Sequence, residues 1–101
     1  MAELDEDFDE IRVTELSQRE DGWTFFVELG HGDGLVEYMV DLDREYWTRL
    51  TNRRVEPSEL IIKTFDFLLD KEPKELILRK FNLSDISARF PMYEDEIRKS
   101  S

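Results

Sequence analysis

Apolar and polar residues alternate through "GWTFFVELG", residues 22–30: Trp23, Phe25, Val27 and Leu29 fall on one face, Thr24, Phe26 and Glu28 on the other. The same period of two recurs in "LVEYMVDL", residues 35–42, where Val36, Tyr38, Val40 and Leu42 share a face. Strand side chains point to opposite faces in turn, so each stretch predicts a strand buried on one side. The turn formers "HGDG", residues 31–34, lie between them and predict a β-hairpin. A tip at Gly32-Asp33 would set Glu28 opposite Glu37, an unfavourable like-charge pair. The expected tip is therefore Asp33-Gly34, a type I′ pair that sets Glu28 opposite Met39. A weaker alternation in "IRVTELS", residues 11–17, predicts a preceding strand, joined to the hairpin by a polar loop around "QREDG".

From Asp43 the period lengthens to about 3.6. "DREYWTRLT", residues 43–51, predicts a short helix capped by Asp43, with Tyr46, Trp47 and Leu50 on one side and an end near Asn52. Pro57 suits a first helical turn and opens "PSELIIKTFDFLLDK", the central core helix, with Leu60, Ile61, Thr64, Phe65, Leu68 and Leu69 inward. Pro73 ends it and starts an expected helix over "PKELILRKF", with Ile77 and Phe81 inward. Asn82 caps "LSDISARF", where Leu83, Ile86 and Phe90 recur at helical spacing, and Pro91 opens a last helix to about Lys99. The expected architecture is α+β: a three-stranded antiparallel meander followed by four to five short helices packed on one sheet face. Strands followed by helices leave no doubly wound parallel sheet, and so no nucleotide crevice at its switch point. "GHGDG" joins two strands, precedes no helix and is a turn rather than a phosphate loop.

Composition sharpens this picture. The 101 residues suit one domain with one core, and 39% charged residues imply a densely ionic surface. Residues 1–10, "MAELDEDFDE", hold six acids and no base; the rest carries 14 bases against 19 acids, so most of the net −11 sits in an acidic tail expected to be disordered. Residues 11–101 are the expected single domain. No apolar run approaches the roughly 20 residues of a membrane span, and the acidic start is unlike a signal peptide, so the expected location is cytoplasmic, with no membrane partner. The absence of cysteine excludes disulfides, thiolate nucleophiles and Cys-based zinc sites.

The helical half carries a resemblance. "YMVDLDREYWTRLT", "EPSELIIKTFDFLLDKEP" and "ILRKFNLSDISARFP" resemble a group of small uncharacterised bacterial proteins, over about residues 23–97. The shared features are core and helix-punctuating residues, so the resemblance implies the α+β fold and no activity.

Candidates for chemistry reduce to few. His31, the one histidine, lies in a glycine turn with no second His or Cys to share a metal. Asp41, Asp43 and Glu45 have the composition of a cation site, but the helix cap, the first-turn dipole and the outer sheet face account for them. Serine and threonine lack a base. The sequence therefore predicts no catalytic, cofactor-binding or metal-binding residue, and no enzyme.

The stretch "NLSDISARFPMYEDEIRK", residues 82–99, has the cadence of a helix-turn-helix. Its second helix would place Glu94, Asp95 and Glu96 against phosphates, whereas DNA affinity comes largely from lysine and arginine. Arg49, Arg53 and Arg54 form the best basic patch, with Trp47 near enough in sequence to stack a base. Two alternatives follow: a nucleic-acid-associated protein with this helix-turn-helix-like C-terminal region and those arginines, and, as a subclass of the interaction reading, an acidic nucleic-acid mimic using the tail. The preferred expectation is a small non-enzymatic protein-interaction or regulatory module that binds another protein or itself. Its contact surface would be the outer sheet face, an apolar cluster of Phe26, Leu35 and Met39 rimmed by Glu28, Glu37 and Asp41.

Overall fold

The structure is a computed structural model that describes residues 10–99. The expected acidic tail lies outside the described residues except for Glu10, whose carbonyl accepts from Gly30 N at 2.9 Å. The chain builds an α+β fold: β1 (Ile11–Arg19), β2 (Gly22–Leu29), β3 (Val36–Asp43), α1 (Arg44–Thr51), α2 (Pro57–Lys71), β4 (Lys80–Asn82), α3 (Ile86–Arg89) and α4 (Tyr93–Lys99). The strands form one sheet in the order β1-β2-β3-β4. The first three are antiparallel as expected, and β4 pairs parallel to β3, with Phe81 opposite Val40.

The alternation in β2 and β3 becomes burial. Phe25, Val27, Leu29, Val40 and Leu42 are fully buried, and Trp23, Val36 and Tyr38 nearly so. Against this face lies α2, whose Leu60, Ile61, Thr64, Phe65 and Leu68 are buried at helical spacing. The Phe65 ring meets Tyr38 at 5.0 Å and Phe81 at 6.0 Å between centroids, joining α2 to β3 and β4 at once. The next helices add a second aromatic group: Phe67 packs edge-on to Phe90 at 5.7 Å and to Tyr93 at 5.2 Å. Thr64 Oγ1 and the Tyr93 hydroxyl share a buried 2.7 Å hydrogen bond, which fastens α4 to α2.

Several expectations change. "PKELILRKF" is not a helix: Lys74–Leu76 makes one 3-10 turn and the chain then extends into β4. Ile77 and Phe81 are inward as expected, because a turn followed by an extended segment can bury the same two residues as a helix. What decides is the open edge of β3, whose Met39 N–H finds Arg79 O at 2.7 Å. The sheet therefore has four strands rather than three, and the described residues hold four α-helices.

The hairpin register is the second change. Glu28 stands opposite Glu37 and Phe26 opposite Met39, the register centred on Gly32-Asp33. The loop is not a two-residue turn: Gly30 takes φ +88, and a 3-10 turn over Gly32–Gly34 closes with Gly34 N to His31 O and Leu35 N to Gly32 O. The like-charge pair is offset from the next strand, where Arg12 Nε lies 3.3 Å from Glu28 Oε1. Thirdly, Asp43 occupies the N-cap of α1 without capping through its side chain; its Oδ1 accepts from Asn82 Nδ2 at 3.4 Å.

Other punctuation holds. Asn82 and Asp85 form a full capping box, with Ser84 N on Asn82 Oδ1 and Asn82 N on Asp85 Oδ2. The β1–β2 connection is tighter than the polar loop expected, since Arg19 already pairs with Gly22. A Cβ at Gly22 would run into Leu42 O of β3.

Truncating Phe65 to Ala is expected to lower stability by about 3–5 kcal/mol, measured by thermal or denaturant melting; a melt like the parent's would contradict the core assignment. The register has its own test. Glu37→Lys places an opposite charge across from Glu28 and is expected to raise stability by about 0.2–1 kcal/mol. Asp33→Lys, with the same charge change at the loop, is expected to leave it unchanged; equal effects would contradict the observed pairing.

Candidate functional site: the outer sheet face

The face turned away from the helices is built of three rows running across the strands. At one end Ser17, Thr24, Asp41 and Asn82 are in register. Here Thr24 Oγ1 donates to Asp41 Oδ1 at 2.7 Å, and Arg19 Nη1 donates to Thr24 Oγ1 at 2.8 Å and to Ser17 Oγ at 3.1 Å. The middle row is Thr14, Phe26, Met39 and Lys80. The far row is Arg12, Glu28 and Glu37. Phe26 and Met39 thus form a cross-strand apolar pair, each half-buried, between a hydroxyl–carboxylate network and a charged row. A β-bulge in β1 between Glu15 and Ser17 bends this edge, and Leu16 is left 52% exposed there.

Of the candidate contact residues, the fold brings together Phe26, Met39, Glu28 and Glu37. Leu35 stands apart: it precedes β3 by one residue and is four positions from Met39, about 13 Å along extended chain, with Glu37 between them. The apolar centre is therefore a pair, and Leu35 marks the rim on the loop side.

The arginine candidates part company. Arg49 and Arg54 line one depression together with Arg98 of α4. Arg53 lines a different depression with Arg44, Glu20, Asp21, Asp43 and Glu45; Arg49 borders both depressions, so the two that are parted are Arg53 and Arg54. The separation comes from two consecutive left-handed residues, Asn52 at φ 56 and Arg53 at φ 63. Thr51 holds this turn, its Oγ1 accepting from Arg53 N at 3.1 Å and its carbonyl from Arg54 N at 3.0 Å. Among the described residues none of these four arginines forms an ion pair. Trp47 is committed to the fold, since its ring packs edge-on to Trp23 at 5.3 Å and its Nε1 donates to Val55 O at 2.7 Å.

The helix-turn-helix cadence resolves into a four-residue α3 and a seven-residue α4 whose Tyr93 and Ile97 are buried and whose Asp95 and Glu96 are exposed. Glu94 is tied down by the Tyr46 hydroxyl, which donates to its Oε2 at 2.9 Å. His31 is exposed in its turn. Asp41 and Asp43 have the partners given above, Glu45 is exposed, and among the described residues no three carboxylates or imidazoles converge as a metal would require. Among the described residues no helix is long and apolar enough to cross a membrane.

Two phenols have shifted protonation. Burial, and then the hydrogen bond to Glu94, hold Tyr46 well above the ordinary phenol range; burial raises Tyr93 likewise. Comparison with family models, with curated proteins and with solved structures finds no match to this chain.

Unfolded tyrosine ionises near pH 10, so above that pH the unfolded chain releases protons that the folded one keeps. Stability is therefore fully present below about pH 10 and is expected to fall above it. Circular-dichroism melts from pH 8 to 11.5 read this, and Tyr46→Phe is expected to make the fall shallower. An unchanged slope would contradict the shift at Tyr46.

Proposed function

We propose that this chain is a small non-enzymatic protein-interaction module whose contact surface is the outer sheet face. The observation that carries the reading is the Phe26–Met39 pair, in register and half-open on the face turned from the helices, with polar rows on both sides. An apolar centre with a charged border is the layout of a protein contact surface. The occupant is a different protein with an apolar centre and a mainly basic rim. Glu28, Glu37, Asp41 and Asp43 outnumber Arg12, Arg19 and Lys80 on this face by one, and a second copy of a chain of net charge −11 would meet it with like charge. Support for a non-enzymatic role lies in the lone exposed histidine and the absence of cysteine.

A second reading, weak binding of single-stranded nucleic acid, is favoured by Arg49, Arg54 and Arg98 around one depression, none of them in an ion pair among the described residues. The chain's charge and the engaged Trp47 oppose it. The acidic-mimic version depends on the tail of residues 1–10, which apart from Glu10 lies outside the described residues.

Phe26→Arg is expected to melt within a few degrees of the parent while losing the partner that immobilised parent retains from its native host, and Phe26→Leu is expected to keep it. Retention should weaken as salt rises, because the rim is charged and exposed. Unfolding of Phe26→Arg would place Phe26 in the core, and equal capture by parent and mutant would move the contact surface elsewhere.

A further inference from the structure

Arginines from three segments meet at one open depression of about 350 Å³: Arg49 of α1, Arg54 of the α1–α2 loop and Arg98 of α4, with Leu50, Thr51 and Asn52 between them. The chain has 25 acids against 14 bases, yet among the described residues no carboxylate lines this depression and none of its arginines is ion-paired. Glu94, one turn before Arg98, is taken by the Tyr46 hydroxyl, and Arg49 lies over the Tyr46 ring at 5.2 Å. Arg49 also borders the acidic depression of Glu20, Asp21, Asp43 and Glu45 without pairing to any of them. Helix C-termini attract cations, which accounts for Arg49 and Arg98 in the last turns of α1 and α4. It does not account for Arg54, which lies three residues beyond α1 and reaches this side through the left-handed Asn52 and Arg53. A left-handed arginine has neither the freedom of glycine nor the tolerance of asparagine, so the turn is held at a conformational cost. Its backbone donors are spent on Thr48 O, Thr51 Oγ1 and Thr51 O, which leaves recognition to the guanidinium groups.

We propose that this depression binds a compact phosphate group, a phosphomonoester dianion. Each guanidinium presents a planar fork of N–H donors, and one fork satisfies a carboxylate. Forks arriving from three segments suit a tetrahedral group whose oxygens point in several directions. A polynucleotide finds no track here: Arg53 lies in the separate acidic depression, and Trp47, committed to Trp23 and Val55, offers no ring for stacking. The site shares no residue with the outer sheet face and stands or falls separately from it. Its arginines are those of the nucleic-acid reading, and the test separates the two ligands.

The probes are inorganic phosphate, acetate and acetyl-Gly-phosphoserine-Gly-amide, titrated into the full chain at low, constant ionic strength and followed by amide and arginine side-chain chemical shifts. Phosphate is expected to shift residues 49–54 and 97–99 saturably and to bind about tenfold more tightly than acetate, the ratio for one further charged hydrogen bond. Equal binding of phosphate and phosphopeptide would identify the phosphate group alone as the ligand, and tighter binding of the peptide would identify a phosphorylated side chain as its source; both support the site. Arg54→Gln and Arg98→Gln, checked for folding by their melts, should each weaken phosphate about tenfold. Arg53→Gln, with the same loss of charge, should leave its affinity unchanged. Equal losses in all three variants would reveal diffuse attraction only and would overturn the proposal, as would unsaturable shifts or acetate binding as tightly as phosphate. An oligothymidylate that binds more tightly than phosphate and weakens on Arg53→Gln would mark a nucleic-acid track and would also overturn it.

Discussion

The packing of Phe65 against Tyr38 and Phe81 is the contact on which the rest of this fold depends. One ring on α2 touches a central strand and the short edge strand together, so the helix cannot dock without placing β4. Tyr38 reinforces the arrangement from its other end, its hydroxyl donating to Lys74 O at 2.6 Å and fixing the 3-10 turn that leads into β4. From β4 the capping box at Asn82 turns the chain into α3, and Tyr93 returns α4 to Thr64 of α2. Each later element is thus anchored to α2, which is itself anchored by Phe65.

That economy has a consequence for function. A chain of this length builds one core, and here the helices and the inner sheet face fill it. Among the described residues the outer face receives no helix, and its side chains satisfy one another across the strands: Arg12 with Glu28, Arg19 with Thr24, and Thr24 with Asp41. Phe26 and Met39, at the centre of the middle row, have no polar group with which to join this network. The surface proposed for recognition is what remains when a one-sided fold is complete.

The inner face, the helix starts at Pro57 and Asn82, and the outward direction of Phe26 were all legible in the sequence, because each follows from parity, period or a capping residue. The rest depends on contacts between distant segments. Met39 as the partner of Phe26 requires the hairpin register, which turned on a glycine-rich loop that is longer than a type I′ turn and on Arg12, a residue of another strand. Strand β4 was hidden because Ile77 and Phe81 are spaced as in a helix; the exposed Leu76 and Leu78 were the discordant signal. Arg53 and Arg54 looked like one patch until the left-handed Asn52 and Arg53 divided them.

The central claim is that the sheet is two-faced, sealed by Phe65 and α2 on one side and open on the other. The absence of native cysteine allows each face to be reported by a single introduced thiol. Phe26→Cys and Met39→Cys should react with a small thiol reagent within about tenfold of a free thiol, whereas Val27→Cys and Val40→Cys should react only as fast as the chain unfolds. Protection of the first pair equal to that of the second would mean that the outer face is covered, and would contradict the account.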